Sequence, residues 1–135
     1  METATRPELA QDVSYPEITV KLAGEPFRLC FDHAAMRRAE LYAADTTGRW
    51  LNYLALLNAA SARSYAGLAA VIYGAIDPAQ GLTEEAFERR VTMQDCLDCY
   101  DAVMQAAFDA LPDVAGVRAK NAPRQTQRSA IRGGG

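Results

Sequence analysis

The change of hydrophobic period at Asp32 constrains this chain more than any other feature. Before it, Ile18, Val20 and Leu22 alternate with Thr19 and Lys21, and Phe27, Leu29 and Phe31 alternate with Arg28 and Cys30. Period 2 on both sides of a turn gives two strands, each with one apolar face. Gly24 tolerates a positive φ between them, and Pro26, with no amide to donate, suits a strand start. Residues 17–31 therefore predict a hairpin. A lone two-stranded hairpin is marginal in water, so its apolar face needs a cover. Everything after Asp32 reads with a helical period. The predicted fold is α+β, mainly α: an N-terminal β-hairpin packed on a small bundle of four or five helices.

The helical part divides at its punctuation. Asp32 stands at an N-cap position, and Ala35, Met36, Ala39 and Tyr42 then share a helical face. Asp45-Thr46-Thr47-Gly48 predicts a break that caps the next segment. Trp50, Leu54 and Leu57 form a stripe within 49–60, and Tyr65, Leu68, Val71, Ile72 and Ala75 form a second one. Residues 49–75 are compatible with one helix or two. Asp77-Pro78-Ala79-Gln80-Gly81 is a turn, since proline and glycine both interrupt helices. Thr83 with Glu84 and Glu85 starts a short helix carrying Phe87 and Val91. Thr92 with Asp95 resembles a capping box, Asp standing in place of Glu, and opens an amphipathic segment. There Met93, Leu97, Tyr100, Met104, Ala107, Phe108 and Leu111 line one side, opposite Gln94, Asp98, Asp101, Gln105 and Asp109. Pro112 ends it.

A chain of 135 residues accommodates one domain. Residues 1–16 read as a flexible arm, 17–112 as the hairpin plus helical domain, and 113–135 as a disordered basic tail too poor in apolar groups to fold. The net charge of −3 conceals an asymmetry: residues 1–112 carry −7 and the tail +4. An acidic body with spread tail cations and no tail aromatics argues against a dedicated nucleic-acid binder. No apolar run approaches the roughly 18 residues of a membrane span. The acidic, polar start lacks a signal-peptide pattern, and three cysteines are an odd count, so a reducing, cytoplasmic setting is expected.

Catalytic chemistry has few candidates. Cys30-x-x-His33 with Cys96-x-x-Cys99 uses every cysteine and the single histidine, a donor set that suits four-coordinate zinc. Against it, Cys96 and Cys99 fall inside a helix with no glycine to wrap two sulfurs around one ion, and Cys30 faces away from the apolar strand face. No metal or cofactor is expected. One histidine must serve any nucleophile–base scheme, no glycine-flanked serine or cysteine marks an exposed nucleophile, and no phosphate-binding glycine loop is present, so no enzyme activity is expected. Asp98, Asp101 and Asp109 read as a solvated helix face. Trp50, Tyr53, Tyr65 and Tyr73 are candidate interface anchors, with core packing as the alternative for Trp50.

The order of these elements resembles a known family. The pattern Ile-Thr-Val-x-Leu-x-Gly-x-x-Phe-x-Leu-x-Phe runs into a helix with Ala35-Met36 and Ala39-Glu40. A small-residue helix follows, Gly67-Leu68-Ala69-Ala70-Val71-Ile72-Tyr73-Gly74-Ala75, then a Pro/Gly turn, Leu82-Thr83-Glu84-Glu85 and an acidic amphipathic helix. Over about residues 17–111 this resembles the tail assembly chaperones of long-tailed phages and gene transfer agents. The resemblance implies a non-enzymatic protein of a phage or prophage. It would hold the tape measure protein soluble in the host cytoplasm while tail tube subunits polymerise, and would be absent from the finished virion. On that reading Trp50, Tyr65, Leu68, Ile72 and Tyr73 are the protein-binding residues. The small-residue face of 67–75 either receives a partner helix or packs internally. Two other readings stand beside it: a small prophage regulatory or adaptor protein whose basic tail touches nucleic acid, and a zinc-stabilised structural module.

Overall fold

The structure, a computed structural model, describes residues 15–111. It has the α+β, mainly α architecture expected from the period change: a two-stranded antiparallel hairpin followed by six α-helices. Strands β1 (Glu17–Leu22) and β2 (Glu25–Cys30) pair with Ile18 opposite Leu29 and Val20 opposite Phe27. Val20, Leu22, Phe27, Leu29 and Phe31 are buried, so the alternation read from the sequence is the inward face. The two-residue connection carries positive φ at both positions, 52° at Ala23 and 80° at Gly24, the backbone that matches strand twist in a tight hairpin. Glycine accepts this freely; Ala23 holds it at a cost of about 1 kcal/mol. The ladder extends one step outward, where the Phe31 amide donates to the Pro16 carbonyl at 3.1 Å.

Helix α1 (His33–Thr47) starts where Asp32 accepts a 2.9 Å bond from the Ala35 amide. It runs through Asp45–Thr47, where a break was expected, and ends at Gly48 in the left-handed conformation. Thr46 and Thr47 lie within the helix, where each hydroxyl bonds the carbonyl four residues back. Helix α2 spans Tyr53–Ser61 and α3 spans Tyr65–Ala75, so the 49–75 region is two helices. They part at Arg63, whose φ is 67°, and Ser64 caps α3. The α2 stripe differs from the expected one. Tyr53, Leu56, Leu57 and Ala60 are buried; Trp50 precedes the helix in a connection capped by Asn52, and Leu54 faces outward.

Helix α3 is the centre of the domain. Residues Gly67–Ile72, Gly74 and Ala75 are all buried, and a helix apolar all round must be enclosed by its own fold or by another molecule. The α1 and α2 backbones do much of this. A β-carbon at Gly74 would stand 2.6 Å from the Ala35 carbonyl oxygen and 2.7 Å from the Ala39 amide. One at Gly67 would stand 2.8 Å from the Ala59 β-carbon. The small-residue face therefore closes inside the chain. Beyond it, a single-turn 3-10 segment at Pro78–Gln80, capped by Asp77, leads to α4 (Glu84–Arg90), capped by Thr83. Phe87 of α4 meets Tyr42 and Tyr73 edge to face, and Tyr42 stacks on Tyr73 at 4.9 Å.

The last segment is not one amphipathic helix. Helix α5 (Met93–Asp98) and α6 (Tyr100–Asp109) meet at a break at Cys99. A stripe counted continuously at 3.6 residues per turn loses phase there. Cys96, Val103, Met104, Ala106 and Ala107 face the core, while Met93, Leu97 and Phe108, expected inside, are substantially exposed. Apart from Tyr15 and Pro16, the arm at 1–16 and the basic tail at 113–135 lie outside the described residues, as does Pro112.

The Thr92–Asp95 capping box reaches further than the helix it starts. One carboxylate oxygen of Asp95 accepts from the Thr92 amide at 3.1 Å and from the Ala23 amide at 3.1 Å, so the cap of α5 also ties down the hairpin turn. These two amides hold the Asp95 carboxyl below the ordinary carboxylate range. A carboxyl whose folded pKa lies below its unfolded one stabilises the fold above the unfolded pKa and loses that contribution as pH falls through the folded value. Asp95→Ala should cost about 1–2 kcal/mol at pH 7 by urea titration, from a lost cap and two orphaned amides. The difference from the parent chain should shrink as the pH is lowered below about 4.

Candidate functional site

The strongest candidate for function is an outward apolar set carried by the α1–α2 junction. Trp50 is 60% exposed, Leu54 58% and Leu41 50%, high values for large apolar side chains. The junction is pinned at both ends. The Thr47 hydroxyl is shared between the Ala43 carbonyl and the backbone of Arg49, Gly48 turns the chain, and Asn52 accepts from the Ala55 amide at 2.8 Å. Glu40 then accepts from the Tyr53 amide at 2.8 Å. That bond joins the turn of α1 that carries Leu41 to the first turn of α2, which carries Leu54. The set is thus carried on a hydrogen-bonded frame, and large exposed apolar side chains, tryptophan above all, are the residue types that serve as anchors in interfaces.

The expected protein-binding residues fall into three situations. Trp50 is exposed, not in the core. Tyr65 is partly exposed at the start of α3. Tyr73 is half-buried in the aromatic cluster with Tyr42 and Phe87. Leu68 and Ile72 are 1% and 0% exposed and belong to the core, so neither can touch a partner in the native fold. Their stripe is apolar, but every residue from Gly67 to Ile72 is buried, so this stretch of α3 has no outward face. Leu41 was not singled out from the sequence, although its signal was there: it lies off the Ala35–Ala39–Tyr42 face.

A polar recess of about 260 Å³ lies beside the hairpin, lined by Glu17, Arg28, Cys30, Asp32, Ala34, Arg38, Asp77 and Gln80. Its polar groups are already engaged in holding the fold. Glu17 pairs with Arg28 at 3.1 Å, Arg38 donates to the Gly74 carbonyl at 3.0 Å, Asp32 and Asp77 cap their helices, and Gln80 bonds the Arg28 backbone. Burial and the nearby Asp32 and Glu17 carboxylates push the Cys30 thiol up, away from the reactive thiolate. The exposed His33 has its ring 5.8 Å from that of Tyr15.

The fold does not assemble the four residues of the zinc pattern. Among the described residues no three His, Cys, Asp or Glu side chains cluster as a metal site. Cys96 is fully buried, with its thiol pushed up to about 12 by desolvation, and burial raises Cys99 to about 11. Both should resist a thiol reagent at pH 8 in the native state and react fully in denaturant, because only the thiolate attacks. Their raised pKa values also set an alkaline limit. This contribution to stability is complete below the unfolded thiol pKa, near 9, and is lost as pH rises towards the folded values. Cys96→Ser should blunt that loss. Unfolding midpoints between pH 8 and 11 would show it. Tyr53 is a second buried titratable group: its hydroxyl has no partner among the described residues, and desolvation raises the phenol strongly.

Among the described residues no helix is long and apolar enough to cross a membrane. Comparison of the chain with protein-family models, with curated proteins and with solved structures gives no match.

Proposed function

We propose that this chain is a tail assembly chaperone of a long-tailed phage, prophage or gene transfer agent. In this reading it binds the tape measure protein, and tail tube subunits with it, in the host cytoplasm, and leaves before the particle is finished. It catalyses no reaction. The observation that carries the reading is the exposed apolar set Leu41, Trp50 and Leu54, carried on a hydrogen-bonded frame in a protein whose element order resembles such chaperones. A tape measure protein is long and helical, and the apolar stripe of such a helix is suited to an apolar docking surface. The small-residue helix is not that surface, since it is enclosed.

Co-expression with a tape measure protein from the same genome, followed by pull-down, tests the proposal. The complex should survive raised salt, because screening weakens exposed charge pairs and leaves apolar burial intact. Trp50→Ala and Leu54→Asp should each reduce capture at least about tenfold, as expected for central anchors, while circular dichroism stays unchanged. If the tape measure protein is equally soluble alone and no complex forms at low or high salt, the chaperone reading fails. An adaptor protein with a nucleic-acid-touching tail then takes its place.

A further inference from the structure

The hairpin has two edges, and the fold treats them differently. On β2, the Arg28 amide donates to the Gln80 side-chain oxygen at 2.9 Å, and the Arg28 carbonyl accepts from the Gln80 side-chain nitrogen at 2.8 Å. One glutamine thus fills a whole edge position, and Leu29 forms an isolated bridge with Ile76 alongside. Because the backbone groups of Arg28 point away from β1, its cross-strand neighbour Thr19 is in a non-hydrogen-bonded pair and also points its amide and carbonyl outward. By the same alternation so do Glu17 and Lys21. Among the described residues nothing bonds the outward backbone groups of Thr19 or Lys21, and all three residues are exposed. The open stretch stops at Ala23, whose amide is taken by Asp95.

We propose that the β1 edge pairs with the β1 edge of a second copy, antiparallel about a two-fold axis through Thr19, joining two hairpins into one four-stranded sheet. The observation that selects this occupant is charge complementarity in one register. Centred on Thr19, Glu17 faces Lys21 of the second copy and Lys21 faces its Glu17, while Ile18 meets Val20 on the apolar side. Thr19 faces Thr19, and all three outward-pointing positions can exchange backbone bonds. A two-fold at Glu17 or at Lys21 would oppose like charges, and one at Ile18 or Val20 would leave both charges opposite neutral residues. Lysine on an open edge ordinarily discourages pairing; here Glu17, four residues earlier, removes that penalty for a single arrangement. Glu17 also holds Arg28 at 3.1 Å on its own hairpin, an exposed pair that tolerates a shared carboxylate. This inference is independent of the chaperone reading, since it uses neither Trp50 nor Leu54.

Sedimentation equilibrium of the full chain, up to about 1 mM, tests it, since edge pairing of this length belongs to the weak end of affinities. The parent chain should show a monomer–dimer equilibrium. Lys21→Glu and Glu17→Lys should each weaken self-association at least about tenfold, by placing like charges opposite one another in both symmetry-related pairs. An equimolar mixture of the two single variants should recover a dimer, now of one variant with the other. Thr19→Pro removes the outward amide without touching the bonds between β1 and β2, and should leave a folded monomer. A parent chain that is monomeric throughout overturns the proposal. So does a dimer that ignores both charge changes, or a mixture of charge variants that stays monomeric; these two results hold even if Thr19→Pro fails to fold.

Discussion

Ile72→Asp should abolish the native fold, whereas Leu54→Asp should leave it intact. Ile72 has no exposed surface and lies within α3, enclosed on every side. A carboxylate there finds no partner and no water. Burying an unpaired charge falls among the few changes that cost about 4 kcal/mol or more, a large part of the 5–15 kcal/mol that holds a domain together. Circular dichroism and a urea midpoint would register the collapse. Leu54 is on the preceding helix but 58% exposed, so the same substitution there meets water. The contrast matters for function. A binding defect from a charge at Leu68 or Ile72 would report unfolding, while one from Leu54 or Trp50 would report the surface itself. A stable, cooperative Ile72→Asp protein would mean that α3 is not the enclosed centre of the fold.

Gly74→Ala should be the most damaging single-carbon addition in the domain. The new methyl would meet the α1 backbone at 2.6 and 2.7 Å, and backbone cannot step aside as a side-chain end can. Overpacking of this kind costs about 1–3 kcal/mol. The better helix propensity of alanine returns up to about 1 kcal/mol. A net loss of about 2 kcal/mol, or a fall in Tm of about 10 °C, is the expected result. Gly67→Ala should do less harm, because its nearest neighbour is the Ala59 methyl at 2.8 Å and its backbone contacts are 2.9 and 3.0 Å. Thermal melts of the two variants would give the order. A Gly74→Ala protein more stable than the parent would show that α1 and α3 do not lie this close.

What could be read in advance was local. The hairpin, its inward face and the helix starts at Asp32, Thr83 and Thr92 follow from alternation and from side chains that satisfy amides two or three residues away. Ala23 at φ 52° carries no such signal, since alanine ordinarily avoids that region; the two-residue length of the turn imposes it. The helix breaks at Arg63 and Cys99 carry little signal either, because neither residue is glycine or proline and apolar residues continue at helical spacing in the sequence across both.

Those breaks decide which apolar residues become surface. A moment summed over a continuous helix places Met93, Leu97 and Phe108 inside, but with the break at Cys99 it is Cys96 of α5 and Val103 and Ala107 of α6 that face the core, and Met93, Leu97 and Phe108 are exposed. Trp50 and Leu54 share an apparent stripe that begins before the helix does. Leu68 and Ile72 sit on a stripe that is apolar in every direction, so no periodicity could tell a docking face from a core. By itself the sequence determined the hairpin, its alternation and the helix starts at Asp32, Thr83 and Thr92, all of which depend on neighbours along the chain. The tertiary structure alone decided which apolar stripe is buried and which strand edge is sealed, because both depend on partners far away. Gly74 against Ala35, and Gln80 against Arg28, are such pairs, with no trace in the local pattern.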